Sequence, residues 1–281
     1  MTQTGLPGFW ARATQAERDA AYDNTRAVAD SAALIAARVA ASAPLRASHG
    51  GTLDLLYAAG ERTRWDLFPA ADPGAPCLVF VHGGYWQRNR REDFAALAEG
   101  ALATGWSVAL PGYTLAPEAS LTRITGEIRA ALDWLRAEGP GHGIAGPVLL
   151  SGWSAGGHLA AACLDHPAVA AGLAISGIFE LAPIRDTVLN DKVRLTAAEI
   201  DTLSPLRRPM VPKPLGIAYG TAELPELQRQ SRDFHAAREE AGCPSPLIPV
   251  PGADHFRILD ALRASNGLLL RAAANLLRQA A

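Results

Sequence analysis

The chain reads as an α/β domain built on a mostly parallel central sheet with helices on both faces. Three observations predict it. Short, continuous apolar runs recur along the chain, the pattern of strands buried on both sides. Each run is followed by a helical period, and strands alternating with helices build parallel crossover units. No internal repeat, low-complexity linker or second composition regime divides the 281 residues, so a single domain over 1–281 is expected.

The elements follow in order. About 1–48 is an N-terminal helical extension. Within it, 14–42 is alanine-rich and opens on Thr14 and Glu17, a Thr-x-x-Glu capping pattern, with interruptions expected at Asn24 and Asp30. Residues 53–59 and 63–68 are short strands around Gly60, and 69–76, PAADPGAP, is a turn. Cys77–Val81 is the first fully apolar strand. A helix over 92–104 ends at Gly105, a strand covers 106–110, and Leu121–Glu138 is a long amphipathic helix stopped by Gly139-Pro140-Gly141. Strands at 148–151, 169–176, 215–219 and Leu247–Val250 alternate with helices at 155–164, 226–240 and 257–280. The stretch 180–212 breaks this rhythm with short helices and prolines, and is read as a small lid or insertion.

Composition excludes several classes of function. The net charge is −2, so no electrostatic case exists for nucleic acid or an anionic membrane surface. No run of about 20 apolar residues is present, as a spanning helix would need. The N-terminus lacks the basic-then-apolar pattern of a secretory signal. Cys77, Cys163 and Cys243 are few, odd in number and without metal-ligand spacing, which fits a reducing, cytoplasmic address.

The chemistry concentrates in SGWSAGGH, residues 151–158. Ser154 stands between Gly152 and Gly156, directly after an apolar strand pattern and directly before a helical one. That context is the strand–turn–helix of a nucleophile elbow, with the Ala155 N–H at the helix start facing the place where an oxyanion would develop. The alternative is a glycine-rich loop that happens to hold a serine. A serine nucleophile needs a base. Of seven histidines, His255 is best placed, in the loop after the last strand. His158 is expected to pack on the elbow helix. His49, His142, His166 and His235 are expected to be solvated. Glu223, just past the strand at 215–219, is the acid that would orient His255, giving the chain order Ser, Glu, His. Glu226 is its rival, and Asp254 is expected to cap the final helix. Cys77–Val81 runs into His82-Gly83-Gly84-Tyr85-Trp86, where the N–H groups of Gly84 and Tyr85 complete an oxyanion hole and His82 and Gly83 support the loop. Tyr85, Trp86, Tyr113, Trp153 and Phe179 are the candidate walls of a substrate pocket, with Arg88 or Arg185 available to a substrate carboxylate.

These motifs resemble the α/β-hydrolases, and within them the group of hormone-sensitive-lipase-like esterases and kynurenine formamidases (arylformamidases). The resemblance spans roughly 20–265. It is carried by the His-Gly-Gly loop and the Gly-x-Ser-Ala-Gly-Gly elbow. HGGYW at 82–86 is similar to the formamidase form, since the lipase-like esterases usually have a third glycine where Tyr85 stands. Tyr22, Asn24 and Val28, and Glu226-Leu-Gln-Arg-Gln-Ser231, are also similar to segments of that group. One departure is the acid, which is generally aspartate in formamidases of higher organisms and matches Glu223 here. The resemblance implies acyl transfer through a covalent serine intermediate, with no metal or organic cofactor. The partner implied is a small ester or amide, first an N-formylkynurenine-type formamide, second a short-chain ester; assembly as a homodimer is left open. A non-catalytic binding module on the same fold is the reading from a different class.

Overall fold

The computed structural model describes residues 10–243 and 245–280. Eight strands form one sheet: β1 (Thr52–Leu56), β2 (Arg64–Phe68), β3 (Cys77–Val81), β4 (Ser107–Pro111), β5 (Val148–Trp153), β6 (Val169–Ile175), β7 (Leu215–Gly220) and β8 (Leu247–Val250). Their spatial order is β1-β2-β4-β3-β5-β6-β7-β8. β1 and β2 are antiparallel to their neighbours, and every pairing from β4 to β8 is parallel.

The strand pattern explains the two-layer core. On β3, Cys77, Val79 and Val81 enter one apolar cluster, while Leu78 and Phe80 enter the other. On β5, Leu150 and Leu149 divide in the same way. Side chains alternate across a strand, so a run with no polar residue must be covered on both sides. Leu121–Glu138 supplies one cover. Its buried Leu121, Ile124, Ile128, Ala131, Leu132 and Leu135 fall at helical spacing, and Ser120 caps its first turn by accepting from the Arg123 N–H. Burying each such leucine or isoleucine contributes about 1.5–3 kcal/mol.

Several helices differ from expectation for local reasons. The N-terminal extension is three pieces, Gln15–Ala20, Asn24–Ala27 and Ser31–Ser48. The Thr14–Glu17 capping box is present, Asp23 caps the second piece, and the third continues through Pro44 beyond the expected end. Residues 1–9 of the extension lie outside the described residues. The expected helix at 92–104 opens as a 3-10 segment, Arg91–Leu97, and the expected helix at 257–280 is interrupted between Arg263 and Leu268. That interruption holds Asn266-Gly267, a turn signal in its own right. Among the described residues, no helix is long and apolar enough to cross a membrane.

The stretch 180–212, expected as a small lid or insertion, packs into the body of the fold. Leu181, Ile184, Val193, Leu195 and Ile200 are buried in the core. None of the segment lines the cavity beside Ser154. The N-terminal extension covers that cavity instead.

Candidate active site

β5 delivers Ser154 at its C-terminal end, and the helix Ala155–Ala162 starts immediately after it. The serine has φ 57° and ψ −118°, a conformation that side-chain-bearing residues rarely adopt. Its N–H donates to Ile175 O at 2.8 Å on β6, which anchors the turn to the neighbouring strand. The flanking glycines are required by close approach: a Cβ on Gly152 would run into the Gly156 backbone, and one on Gly156 into the Val81 carbonyl.

β8 leads into the loop that carries His255, and β7 leads into Glu223. His255 Nδ1 lies 2.9 Å from Glu223 Oε1. A carboxylate accepts only, so the ring proton sits on Nδ1 and the Nε2 lone pair is left for another group. Glu223 is fully buried at its side chain, and its Oε2 accepts from the Gly220 N–H at 3.3 Å. The rival acid is engaged elsewhere: Glu226 forms an ion pair with Arg229 at 2.8 Å and accepts from Tyr22. Asp254 accepts from the Phe256 and Arg257 N–H groups at the start of the 3-10 turn Arg257–Leu259, and not at the final helix, which opens at Leu268. Trp153 braces the histidine twice. Its Nε1–H donates to His255 O at 2.8 Å, and its ring lies 4.7 Å from the imidazole.

The loop after β3 approaches from the other side. Gly84 has φ 116° and Tyr85 φ 51°, so the backbone turns its N–H groups away from ordinary pairing. Among the described residues, the N–H groups of Gly84, Tyr85 and Ala155 donate to no protein acceptor. His82 and Asn89 hold the Gly83 carbonyl at 2.9 and 3.0 Å, and Tyr113 donates to His82 O at 3.0 Å. The Tyr85 hydroxyl donates to Tyr22 O at 2.6 Å and accepts from Asn24 Nδ2 at 3.0 Å. The N-terminal extension therefore fastens this loop, a tertiary link that residue spacing does not reveal.

Ser154 and His255 line one cavity of about 180 Å³, together with Asn24, Thr25, Ile35, Arg38, Gly84, Tyr85, Arg88, Asn89, Trp153 and Phe256. Of the five aromatics expected as pocket walls, Tyr85 and Trp153 are in this lining. Three other aromatics are corrected. Trp86 is fully buried and edge-on to His158, Tyr113 stacks on His82 at 4.3 Å, and Phe179 stacks on Phe234 at 4.4 Å. They pack the scaffold under the site and do not line the cavity. Arg185 lies outside it as well, exposed and paired with Asp186, whereas Arg88 is in its lining. Asn24, Ile35, Arg38 and Phe256 are lining residues that motif reading missed. For Arg38 a signal existed: Ser31, Ile35, Arg38 and Ser42 share one face of an alanine-rich helix, at spacings of four, three and four.

The other histidines divide. His158 is buried, as expected, with its ring nitrogen Nε2 2.9 Å from Leu203 O. His166 was expected in solvent but is buried. Its Nδ1 accepts from the Ala168 N–H, and its Nε2 lies 3.1 Å from Asp133. Burial pushes His82 down to about 3 and His158 down to about 4 from the ordinary 6.5. Below pH 6.5 the unfolded chain binds protons at these positions and the folded chain does not, so stability is full above that pH and falls as pH drops. The expected loss is about 1 kcal/mol per histidine per pH unit below roughly pH 6. Tm measured from pH 7 to pH 5 should fall, and His158→Gln should make the slope shallower. An unchanged slope would mean that His158 titrates alike in both states.

A parallel sheet with an antiparallel edge, a serine at a strained strand–helix turn, and an acid and a histidine after the last two strands define an α/β-hydrolase. The family model described as BD-FAE matches residues 67–165. The chain is 26% identical to the kynurenine formamidase of Danio rerio, over 78% of this chain and 79% of the relative. It is 27% identical to that of Salmo salar, over 75% and 76%. A crystal structure from Silicibacter sp. TM1040, described as a candidate thioesterase, superposes with a TM-score of 0.83 at 31% identity, over 92% of this chain and 99% of that one. The chain belongs to the α/β-hydrolase superfamily of enzymes, in the group that holds the arylformamidases and the hormone-sensitive-lipase-like esterases.

Proposed function

We propose that the chain hydrolyses small aryl formamides or esters through an acyl-serine intermediate, with an N-formylkynurenine-type formamide as the first substrate. The observation that carries this reading is the shared cavity: Ser154 on its elbow and His255, held to Glu223, line the same space. In the mechanism, Ser154 Oγ attacks the substrate carbonyl carbon and its proton passes to His255 Nε2. Glu223 keeps the imidazole in the accepting tautomer and stabilises the imidazolium. The N–H groups of Gly84, Tyr85 and Ala155 receive the oxyanion, and one such donor is worth about 3 kcal/mol of barrier. His255 then protonates the leaving amine or alcohol as the tetrahedral intermediate collapses. Water releases the acyl group by the same proton path in reverse.

The formamide is supported by the HGGYW loop and by the kynurenine formamidases among the relatives. A short-chain ester or thioester is the second reading, favoured by the 31% identity to the candidate thioesterase. The three cysteines are free and buried, which supports a cytoplasmic address. The deciding experiment compares kcat/KM for N-formylkynurenine with that for p-nitrophenyl acetate and butyrate. At least tenfold higher kcat/KM on the formamide is the expected result. Fast ester cleavage with negligible formamide turnover would replace the first reading with the second.

A further inference from the structure

We propose that Arg38 determines specificity by binding a carboxylate on the leaving group of the substrate. The inference rests on the hydrolase reading of the cavity that Arg38 shares with Ser154 and His255.

Arg38 is nine-tenths buried, yet among the described residues its guanidinium has no ion pair and no hydrogen bond, and its Nε is enclosed without a partner. Other buried arginines are satisfied. Arg91 reaches Asp66 at 3.1 Å and also pairs with Asp54, and Arg238 donates to the carbonyls of Val211 and Lys213. A buried cation without an anion is costly, so one left facing a cavity points to a ligand that completes it. Burial pulls its pKa to about 10, which still leaves it charged at neutral pH.

Two rings fix its direction. The guanidinium carbon lies 4.2 Å from the centroid of Phe94 and 5.5 Å from that of Trp153. Aromatic rings supply no acceptor in the guanidinium plane, so these contacts leave its N–H fork unmatched, and a carboxylate fits that fork with two bonds. The acid acting on it most, Asp93, is already engaged by the Arg90 backbone N–H at 3.2 Å and by the Arg90 guanidinium. The side of the site follows from Trp153. The ring that flanks Arg38 also packs on His255, the group that protonates the departing amine or alcohol. Arg38 therefore serves the leaving group.

The test uses two acetate esters with alternative leaving groups, 3-carboxyphenyl and the neutral 3-carbamoylphenyl, on wild type, Arg38→Met and Arg38→Lys. Arg38→Met keeps most of the packed stem, and the neutral ester reports any loss of folded enzyme. The expected result is a drop of about 10- to 100-fold in kcat/KM on the carboxylate ester, mainly in KM, with the neutral ester within about threefold and partial rescue by lysine. Equal loss on both esters, or no loss on either, overturns the proposal. A second pair, p-nitrophenyl hemisuccinate and butyrate, tests the acyl side, and Arg38 dependence confined to it overturns the leaving-group assignment. If wild type cleaves neither these esters nor N-formylkynurenine, the hydrolase reading fails separately. Calorimetric titration with 3-hydroxybenzoate then decides: binding lost in Arg38→Met sustains the cation site, and binding that is equal or absent in both proteins overturns it.

Discussion

Ser154→Ala should lower kcat by about 10⁴- to 10⁶-fold and abolish labelling by a fluorophosphonate, while the circular dichroism spectrum and Tm stay near wild type. The size of the effect follows from the role: without Oγ no acyl-serine forms, and only the oxyanion donors and substrate binding remain. Folding should survive because Oγ makes no hydrogen bond among the described residues and alanine meets the same backbone constraint. Ser154→Gly separates nucleophile from scaffold. Glycine adopts φ 57° without the penalty that serine bears there, about 1–3 kcal/mol, so this variant should be equally inactive and slightly more stable. Turnover near wild type in either variant would remove Ser154 from the chemistry. A glycine variant less stable than wild type would show that the turn stores no strain.

What could be read from the sequence was what local spacing encodes. Cys77–Val81 and Leu121–Glu138 have the observed bounds because an unbroken apolar run and a clean helical period, ended by glycine, leave little choice. The elbow was legible because Gly152 and Gly156 are set by backbone collisions within a few residues of Ser154 or on the adjacent strand. The approach of Glu223 to His255 was legible because both follow neighbouring parallel strands, whose C-terminal ends lie at the same edge of the sheet. The cavity walls were not. Trp86 directly follows Tyr85 but turns into the scaffold, and Tyr113 and Phe179 follow strands yet pack on His82 and Phe234. Nearness to a motif along the chain fixes neither side of the backbone. The roof was less accessible still. Asn24 and Arg38 reach the site from an extension that precedes the sheet, brought there by the docking of Tyr22 and Asn24 on Tyr85 and by the packing of the helix Ser31–Ser48 on Arg91–Leu97, where Ser42 Oγ accepts from the Ala96 N–H.

The acid gives the sharper test of the relay. Glu223→Gln should lower kcat by about 10³- to 10⁴-fold, roughly 4–5.5 kcal/mol of barrier, with a small change in KM. The side chain keeps its volume, so packing is preserved and the loss is electronic. In the wild type both carboxylate oxygens accept, one from His255 Nδ1–H and the other from the Gly220 N–H. An amide has one oxygen and one NH₂ for the same two positions. With its oxygen on the Gly220 N–H, its NH₂ faces His255, so Nδ1 must accept and the ring proton moves to Nε2, which can then take no proton from Ser154. With the oxygen on His255 instead, the NH₂ opposes the Gly220 N–H and the imidazolium loses its counter-charge. Either arrangement is deficient, which is why the loss should exceed that of an ordinary hydrogen bond. Glu223→Asp retains the charge but withdraws the carboxylate by one methylene, and should recover part of the rate. Glu226→Gln should stay within about threefold of wild type, because Glu226 serves Arg229 and Tyr22 and not the histidine. A larger loss in Glu226→Gln than in Glu223→Gln would transfer the orienting role to Glu226. A full rate in Glu223→Gln would mean that His255 needs no carboxylate to hold its tautomer.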